Sequence, residues 1–262
     1  MPEGDTVAWA AKRIRSVLEG RVPDEIRTPH PRHSLDRWPE RLDGREIASI
    51  ETYGKHLFVA FEGELALHSH LGMTGAWAVY TDERRRGSPA RAWIVIRSEN
   101  HEVVQFNGPI LELITAGRRR FDQRFAALGP DVLAAQFESR RFLKLLRRDD
   151  PALAIGVALL DQHKVAGIGN IWRAEGCWEA GINPCRAVSS VSDAEALRII
   201  DAVRPRMSRS AELGPRAIAP RVYRRAGRPC PRCGDRIRAG GQGDQNRTAY
   251  WCPSCQPPRL AS

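Results

Sequence analysis

A chain of 262 residues, 42% of them hydrophobic, has material for two modest domains and a small appendage. No apolar run approaches the roughly 20 residues that a bilayer span needs. The start, Met-Pro-Glu-Gly-Asp, is acidic and lacks the apolar stretch of a signal peptide, so a cytoplasmic protein is expected. The formal charge is +10 and unevenly held: residues 204–262 carry thirteen arginines, no lysine and three acids, while the first 203 residues balance 28 bases against 28 acids. A basic end on a neutral body suits a polyanion, although charge alone does not separate that from an ordinary solvated surface.

Residues 6–19 read as an amphipathic helix, with Val7, Ala10, Ala11, Ile14, Val17 and Leu18 at helical spacing, Asp5 or Thr6 as cap and Gly20 as stop. Strands follow at 56–61, 65–70, 76–80, 92–97, 103–106 and 110–114, short, β-branched or aromatic, and separated by turn residues. That pattern predicts a sandwich or barrel. Residues 82–89 read as a loop. After about residue 120 the period becomes helical, at 135–147, 153–162, 171–180 and 193–207, with a glycine-rich turn at 165–170 and a proline-containing link at 214–220.

Near the end stands Cys230-x2-Cys233-x18-Cys252-x2-Cys255. Each pair forms a knuckle, and four thiolates suit one tetrahedral zinc ion with no open position, hence a structural one. The eighteen residues between the pairs can make a hairpin with 240–243 at its tip. A unit of some thirty residues has little core without a metal. Cys177 and Cys185 stand apart as buried or incidental residues.

Four separated segments now carry a resemblance. Pro2-Glu3-Gly4-Asp5, His70-Leu71-Gly72-Met73-Thr74-Gly75, Leu160-Asp161-Gln162 with Ala166-Gly167-Ile168-Gly169-Asn170-Ile171, and the stretch from Val222 through the cysteine unit to Gln256 resemble the formamidopyrimidine-DNA glycosylase and endonuclease VIII family, in order along the chain. The chain looks closer to the endonuclease VIII branch, as found in actinobacteria. The resemblance implies an α+β multidomain protein. Its parts would be an N-terminal antiparallel β-sandwich with an N-terminal helix (1–120), a helical helix–two-turns–helix domain (121–225) and a C-terminal zinc-finger β-hairpin with tail (226–262). It implies a monomeric base excision repair enzyme acting on damaged double-stranded DNA, a glycosylase with lyase activity.

The same resemblance assigns roles. Removal of Met1 would expose the secondary amine of Pro2, which attacks the anomeric carbon; the resulting iminium is the electron sink for β,δ-elimination. An α-amino group titrates near neutrality, so a useful neutral fraction exists. Glu3 would manage protons at the sugar and the departing base. Lys55, in Tyr53-Gly54-Lys55-His56, together with His70, Asn170 and Arg247 would grip backbone phosphates, with amides at the start of a helix assisting at Asn170. Met73 would fill the gap left by an extruded base. Taken singly, these residues have plainer readings: an accident of translation for Pro2, a helix-start acid for Glu3, a surface lysine for Lys55, a helix cap for Asn170, a solvated charge for Arg247 and core packing for Met73.

The chain also departs from the family. Many members begin Pro-Glu-x-Pro-Glu, whereas Asp5 and Thr6 stand here, so a second carboxylate is missing. Gln105-Phe106-Asn107-Gly108-Pro109-Ile110 lacks the arginine that members directed at oxidised guanine carry beside the wedge, and the link to Tyr223 is short. Oxidised pyrimidines, ring-opened purines or hydantoins are therefore the expected lesions. The alternatives are an 8-oxoguanine glycosylase and a catalytically weak damage-binding protein.

Overall fold

The structure is a computed structural model and describes residues 2–81 and 91–258; the loop expected at 82–89 lies outside them. Backbone contacts group Pro2 with residues 6–126, and residues 3–5 with those from 127 onward.

In the first unit, helix α1 (Gly4–Leu18) buries the six apolar residues expected of it, and the chain turns at Gly20 with φ of 75°. The helix starts earlier than its sequence pattern suggests, so Asp5 lies inside the first turn rather than capping it. Then come β1 (Glu25–Arg27), α2 (Trp38–Leu42), β2 (Ile47–Tyr53), β3 (His56–Phe61), β4 (Leu65–His70), β5 (Ala76–Thr81), β6 (Ala92–Ser98), β7 (His101–Phe106) and β8 (Ile110–Thr115). They form two antiparallel four-stranded sheets, ordered β1-β6-β7-β5 and β2-β3-β4-β8. Leu57, Val59, Phe61, Leu67 and Leu111 share one core with Trp77, Ile94, Ile96, Val103 and the buried face of α1, a sandwich as expected. The strands β1 and β2 were not expected. The former has three residues, and in the latter a bulge between Ile47 and Ser49 breaks the alternation that marks a strand. The unit ends in two short helices, α3 (Ala116–Phe121) and α4 (Gln123–Ala126).

The second unit is helical: α5 (Ser139–Arg147), α6 (Ile155–Ala158), α7 (Asn170–Glu179) and α8 (Asp193–Leu213), followed by the hairpin β9 (Arg238–Gln242) and β10 (Arg247–Trp251). Phe142, Leu146, Ile155, Leu159, Ile168, Trp172, Ile199, Val203 and Met207 form its core. The helix expected at 153–162 shrinks to one turn, because Asp161 and Gln162 spend their side chains on local backbone groups and divert the chain into turns. Conversely, α8 runs past the expected end at 207. A capping box of Ser192 and Glu195 starts it, it passes through Pro205, and Gly214 ends it. The hairpin turn falls at Gly243 and Asn246, not at 240–243: Gly240 and Gly241 are strand residues, and a β-carbon at Gly241 would collide with the side chain of Asn246. Among the described residues, no helix is long and apolar enough to cross a membrane.

Candidate functional site

The second unit holds Glu3. Its carboxylate is fully buried and lies at the N-terminus of α7, where it accepts from the amides of Gly169 at 3.0 Å, Ile171 at 2.7 Å and Trp172 at 3.2 Å. These are the donors a helix start leaves unpaired, and they suit an anion. The anion expected there was a DNA phosphate; the amides of Gly169, Ile171 and Trp172 hold Glu3 instead. The neighbouring amide of Gly4 donates to Gly167 O at 2.9 Å, and buried Asp5 accepts the Ser210 hydroxyl at 2.6 Å. Three successive residues are thus anchored. Gln162 braces the glycine-rich turn, accepting from Gly167 N at 3.0 Å and donating to Ile168 O at 2.9 Å.

Asn170 is the first residue of α7, not its cap; Gly169 is the cap. Its amide nitrogen donates to Thr248 O at 3.0 Å, and its oxygen accepts from Arg173. Fully buried Arg173 also donates to Thr248 O at 2.7 Å and to Gln242 Oε1 at 3.2 Å. Two side chains of α7 therefore grip β10 at the residue after Arg247, which brings Asn170 and Arg247 together. Arg247 itself is half-buried and donates to Gln245 Oε1 at 2.8 Å.

Sequence reasoning missed Arg173 and Glu175. Buried Glu175 accepts from Arg206 at 2.7 Å and from the amides of Arg221, Val222 and Tyr223 at 2.9, 2.9 and 3.0 Å. It fixes the strap leading to the cysteine unit. The one signal available was two opposite charges, Arg173 and Glu175, flanking Ala174 in the middle of a stretch of core residues.

The four cysteine sulfurs lie within 4.8 Å of one another, Cys233–Cys252 at 3.4 Å and Cys230–Cys255 at 3.8 Å. A tetrahedral zinc ion with bonds of about 2.3 Å needs sulfurs about 3.8 Å apart, so the cluster can hold a metal. Trp178 Nε1 and the Arg232 amide donate to Cys230 Sγ at 3.3 and 3.4 Å. Burial opposes the Cys230 thiolate, but the amides of Arg232 and Cys233 and the Trp178 indole outweigh it and bring the thiol down to about 6. Buried Gln256 ties the second knuckle to the helical core, accepting from Cys252 N at 2.9 Å and donating to Ile182 O at 2.8 Å. Cys177 is buried; Cys185 is exposed and accepts from Gln242 at 3.1 Å.

The first unit holds Pro2, half-buried ahead of α1, and Lys55, half-buried in the turn from β2 to β3 where Gly54 has φ of 57°. His70 ends β4 opposite His56, and its Nδ1 accepts from Gly72 N at 3.2 Å. Burial lowers the His70 imidazole, and the charge of Lys55 lowers it further. Neutral His70 with an occupied Nδ1 carries its proton on Nε2, a donor suited to an anion. Met73 is 77% exposed, which excludes core packing. Its turn is closely packed: Gly75 N donates to Leu71 O at 2.8 Å, and a β-carbon at Gly72 would stand 2.7 Å from the Pro109 ring.

A β-sandwich, a helical unit and a four-cysteine hairpin together define the architecture of a helix–two-turns–helix DNA glycosylase. The chain matches the formamidopyrimidine-DNA glycosylase N-terminal domain over residues 1–123 and the formamidopyrimidine-DNA glycosylase H2TH domain over residues 128–221, and it belongs to the formamidopyrimidine-DNA glycosylase and endonuclease VIII family. It is 38% identical to a probable endonuclease 8 2 of Streptomyces coelicolor, across 98% of this chain and 94% of that protein. It is 33% identical to a DNA-(apurinic or apyrimidinic site) lyase of Mycolicibacterium smegmatis, across 98% and 99%. Among solved structures, the Lactococcus lactis formamidopyrimidine-DNA glycosylase in complex with DNA containing an N7-benzyl-formamidopyrimidine lesion has the same fold. The TM-score is 0.83 at 24% identity, covering 98% of this chain and all of that one.

Proposed function

We propose that the protein is a base excision repair enzyme that extrudes a damaged base from double-stranded DNA, removes it and cuts the strand through an iminium on Pro2. The observation that carries this reading is Glu3, buried and held by three amides at the start of α7. An acid fixed in this way sets the position of the residue before it, and a nucleophile must be held to well under an ångström to react efficiently. With Met1 removed, the Pro2 nitrogen attacks the anomeric carbon, the base departs with a proton and the amine loses its own. The bond from the anomeric carbon to the ring oxygen then breaks, the oxygen takes a proton, and the iminium forms. The iminium acidifies the neighbouring carbon, and the two strand phosphates leave in turn by β,δ-elimination.

The two units contribute separate groups to DNA binding. Lys55 and His70 offer cationic and neutral donors to phosphates, and exposed Met73 offers an apolar wedge for the vacated stack. Arg247, held beside Asn170 through Thr248, offers a further phosphate contact. The cluster of Cys230, Cys233, Cys252 and Cys255 holds one structural zinc ion, which supplies no chemistry to the reaction. We place the protein in the cytoplasm on the bacterial nucleoid, acting as a monomer.

Borohydride reduction on an abasic duplex tests the reading. A trapped adduct whose DNA maps to the N-terminal peptide is expected. Mapping to Lys55 would make a lysine the nucleophile, and no trapping at all would leave a damage-binding protein.

A further inference from the structure

Three of the seven histidines lie on one face of the sheet β2-β3-β4-β8, and the reading of Lys55 and His70 as phosphate ligands uses only His70. In the strand register His56 faces His70, and His68 faces Glu112. His68 Nδ1 lies 2.9 Å from Glu112 Oε1, and His56 Nδ1 lies 2.9 Å from His68 Nε2. The ring of His56 is 5.1 Å from that of His68 and 4.9 Å from that of His70.

This chain has a direction. An ionised carboxylate only accepts, so His68 donates Nδ1–H to Glu112 and accepts at Nε2. His56 must then donate its Nδ1–H to His68, which leaves the lone pair of His56 Nε2 as the basic nitrogen at the end of the chain. The Nδ1 of His70 is already used by Gly72. We propose that Glu112, His68 and His56 form a hydrogen-bonded chain whose end, His56, is a further anion ligand beside Lys55 and His70. A backbone phosphate reaching this site brings one solvent proton onto His56 Nε2. The proposal rests on the reading of Lys55 and His70 as phosphate ligands.

The charges around the cluster support it. Burial is the largest influence on His56 and, with the charges of His70, His68, Arg124 and Lys55, holds it at about 3. Burial also lowers His68, against the pull of Glu112. From β8, Glu112 faces the chain and pairs with Arg124 at 2.7 Å and Arg118 at 3.6 Å. From α3 and α4, Asp122 pairs with Arg124 at 2.6 Å, and Arg119 pairs with Glu51 of β2 at 2.6 Å. Three acids thus answer three arginines, and the rings of Phe58 and Phe125 pack on His68. Burial and the surrounding charges, that of Lys55 among them, hold His56 neutral in the DNA-free protein. A phosphate supplies the negative charge that makes a protonated His56 favourable. The sign follows by linkage: His56 is neutral in the free protein at pH 7 and charged in the complex. Affinity then falls by up to about tenfold per pH unit as pH rises from the free-state value toward the bound-state value, and levels off above it.

Calorimetry tests this with the full chain and a duplex carrying a tetrahydrofuran abasic analogue, titrated at pH 6 to 8 in two buffers of different ionisation enthalpy. Uptake approaching about one proton per complex is expected for the wild type. His56→Gln should bind with little uptake and a nearly flat pH profile. Equal uptake by both proteins, or wild-type binding without uptake, overturns the proposal. Wild-type protein that binds no DNA overturns the phosphate reading beneath it. Imidazole nitrogen shifts of the free wild type give a check without substitution. Protons on Nδ1 of His56 and His68 and on Nε2 of His70 are expected, and the opposite tautomer at His56 or His68 overturns the proposal.

Discussion

A β-carbon on Gly169 would stand 2.4 Å from Glu3 Cδ and 2.7 Å from Oε1, so this glycine is what lets the carboxylate reach the helix start. Gly169→Ala must push Glu3 out of the amide cradle, because backbone and carboxylate compete for the same space. Strand cleavage should fall by roughly 100-fold or more, the loss expected when an acid–base residue is misplaced. Binding to an uncleavable abasic duplex should weaken far less. Cleavage within a few fold of wild type would mean that Glu3 is not needed in this position. At this scale the sequence was only partly legible. The resemblance implied a role for Glu3, but its contact with residues more than 160 positions away left no local trace. Arg173 and Glu175 were invisible for the same reason: hydrophobic periodicity records which faces are apolar, not which buried charges find partners. Met73 could not be separated from a core residue until its exposure was seen.

Elements were easier to read where their own sequence decides them. The face of α1 and six of the eight sandwich strands follow from periodicity alone, since alternation and helical spacing are set by backbone geometry. Elements that depend on neighbours were misread. The expected helix at 153–162 gave way to side-chain bonds, β2 was hidden by its bulge, and the hairpin turn moved to Gly243–Asn246, where positive φ is concentrated. The cysteine hairpin belongs to the first kind in its spacing and to the second in its support. Its own apolar cluster is small: Ile237, Cys230 and Cys252 pack on Ala174, Trp178 and Val222. One bound zinc per chain is therefore expected by metal analysis, and Cys252→Ser should release it. The hairpin should then lose amide protection while the sandwich keeps its own, because a structural metal supplies folding energy locally. Abasic DNA binding should weaken with it, since Arg247 loses its platform. Full metal-free protein with a protected hairpin would sink the assignment.

Across the whole molecule, the net charge of +10 sits in the C-terminal region, whose thirteen arginines supply all of it. Most of them should act as a diffuse field and a few as direct phosphate ligands. Arg247→Ala should lower affinity for abasic DNA and reduce the slope of log affinity against log salt by about one, the signature of a single lost contact. An unchanged slope would move Arg247 off the backbone. Lesion choice is also a property of the whole molecule, because it weighs the cost of extrusion against the contacts available to the extruded base. Distinguishing oxidised from normal guanine takes specific polar contacts, since the two planar bases differ at few atoms. The loop packed on the Met73 turn offers Gln105, Asn107 and Pro109 and no arginine, and the Gln105 amide already donates to Asn107 O. At the N-terminus Thr6 stands where a carboxylate could assist a departing purine. Ring-saturated pyrimidines and hydantoins stack poorly, so extruding them costs less and a plainer pocket suffices. Single-turnover rates should therefore be higher on thymine glycol opposite adenine than on 8-oxoguanine opposite cytosine. The reverse order would place the chain's specificity with the 8-oxoguanine enzymes of the family, while leaving the chemistry proposed at Pro2 unaffected.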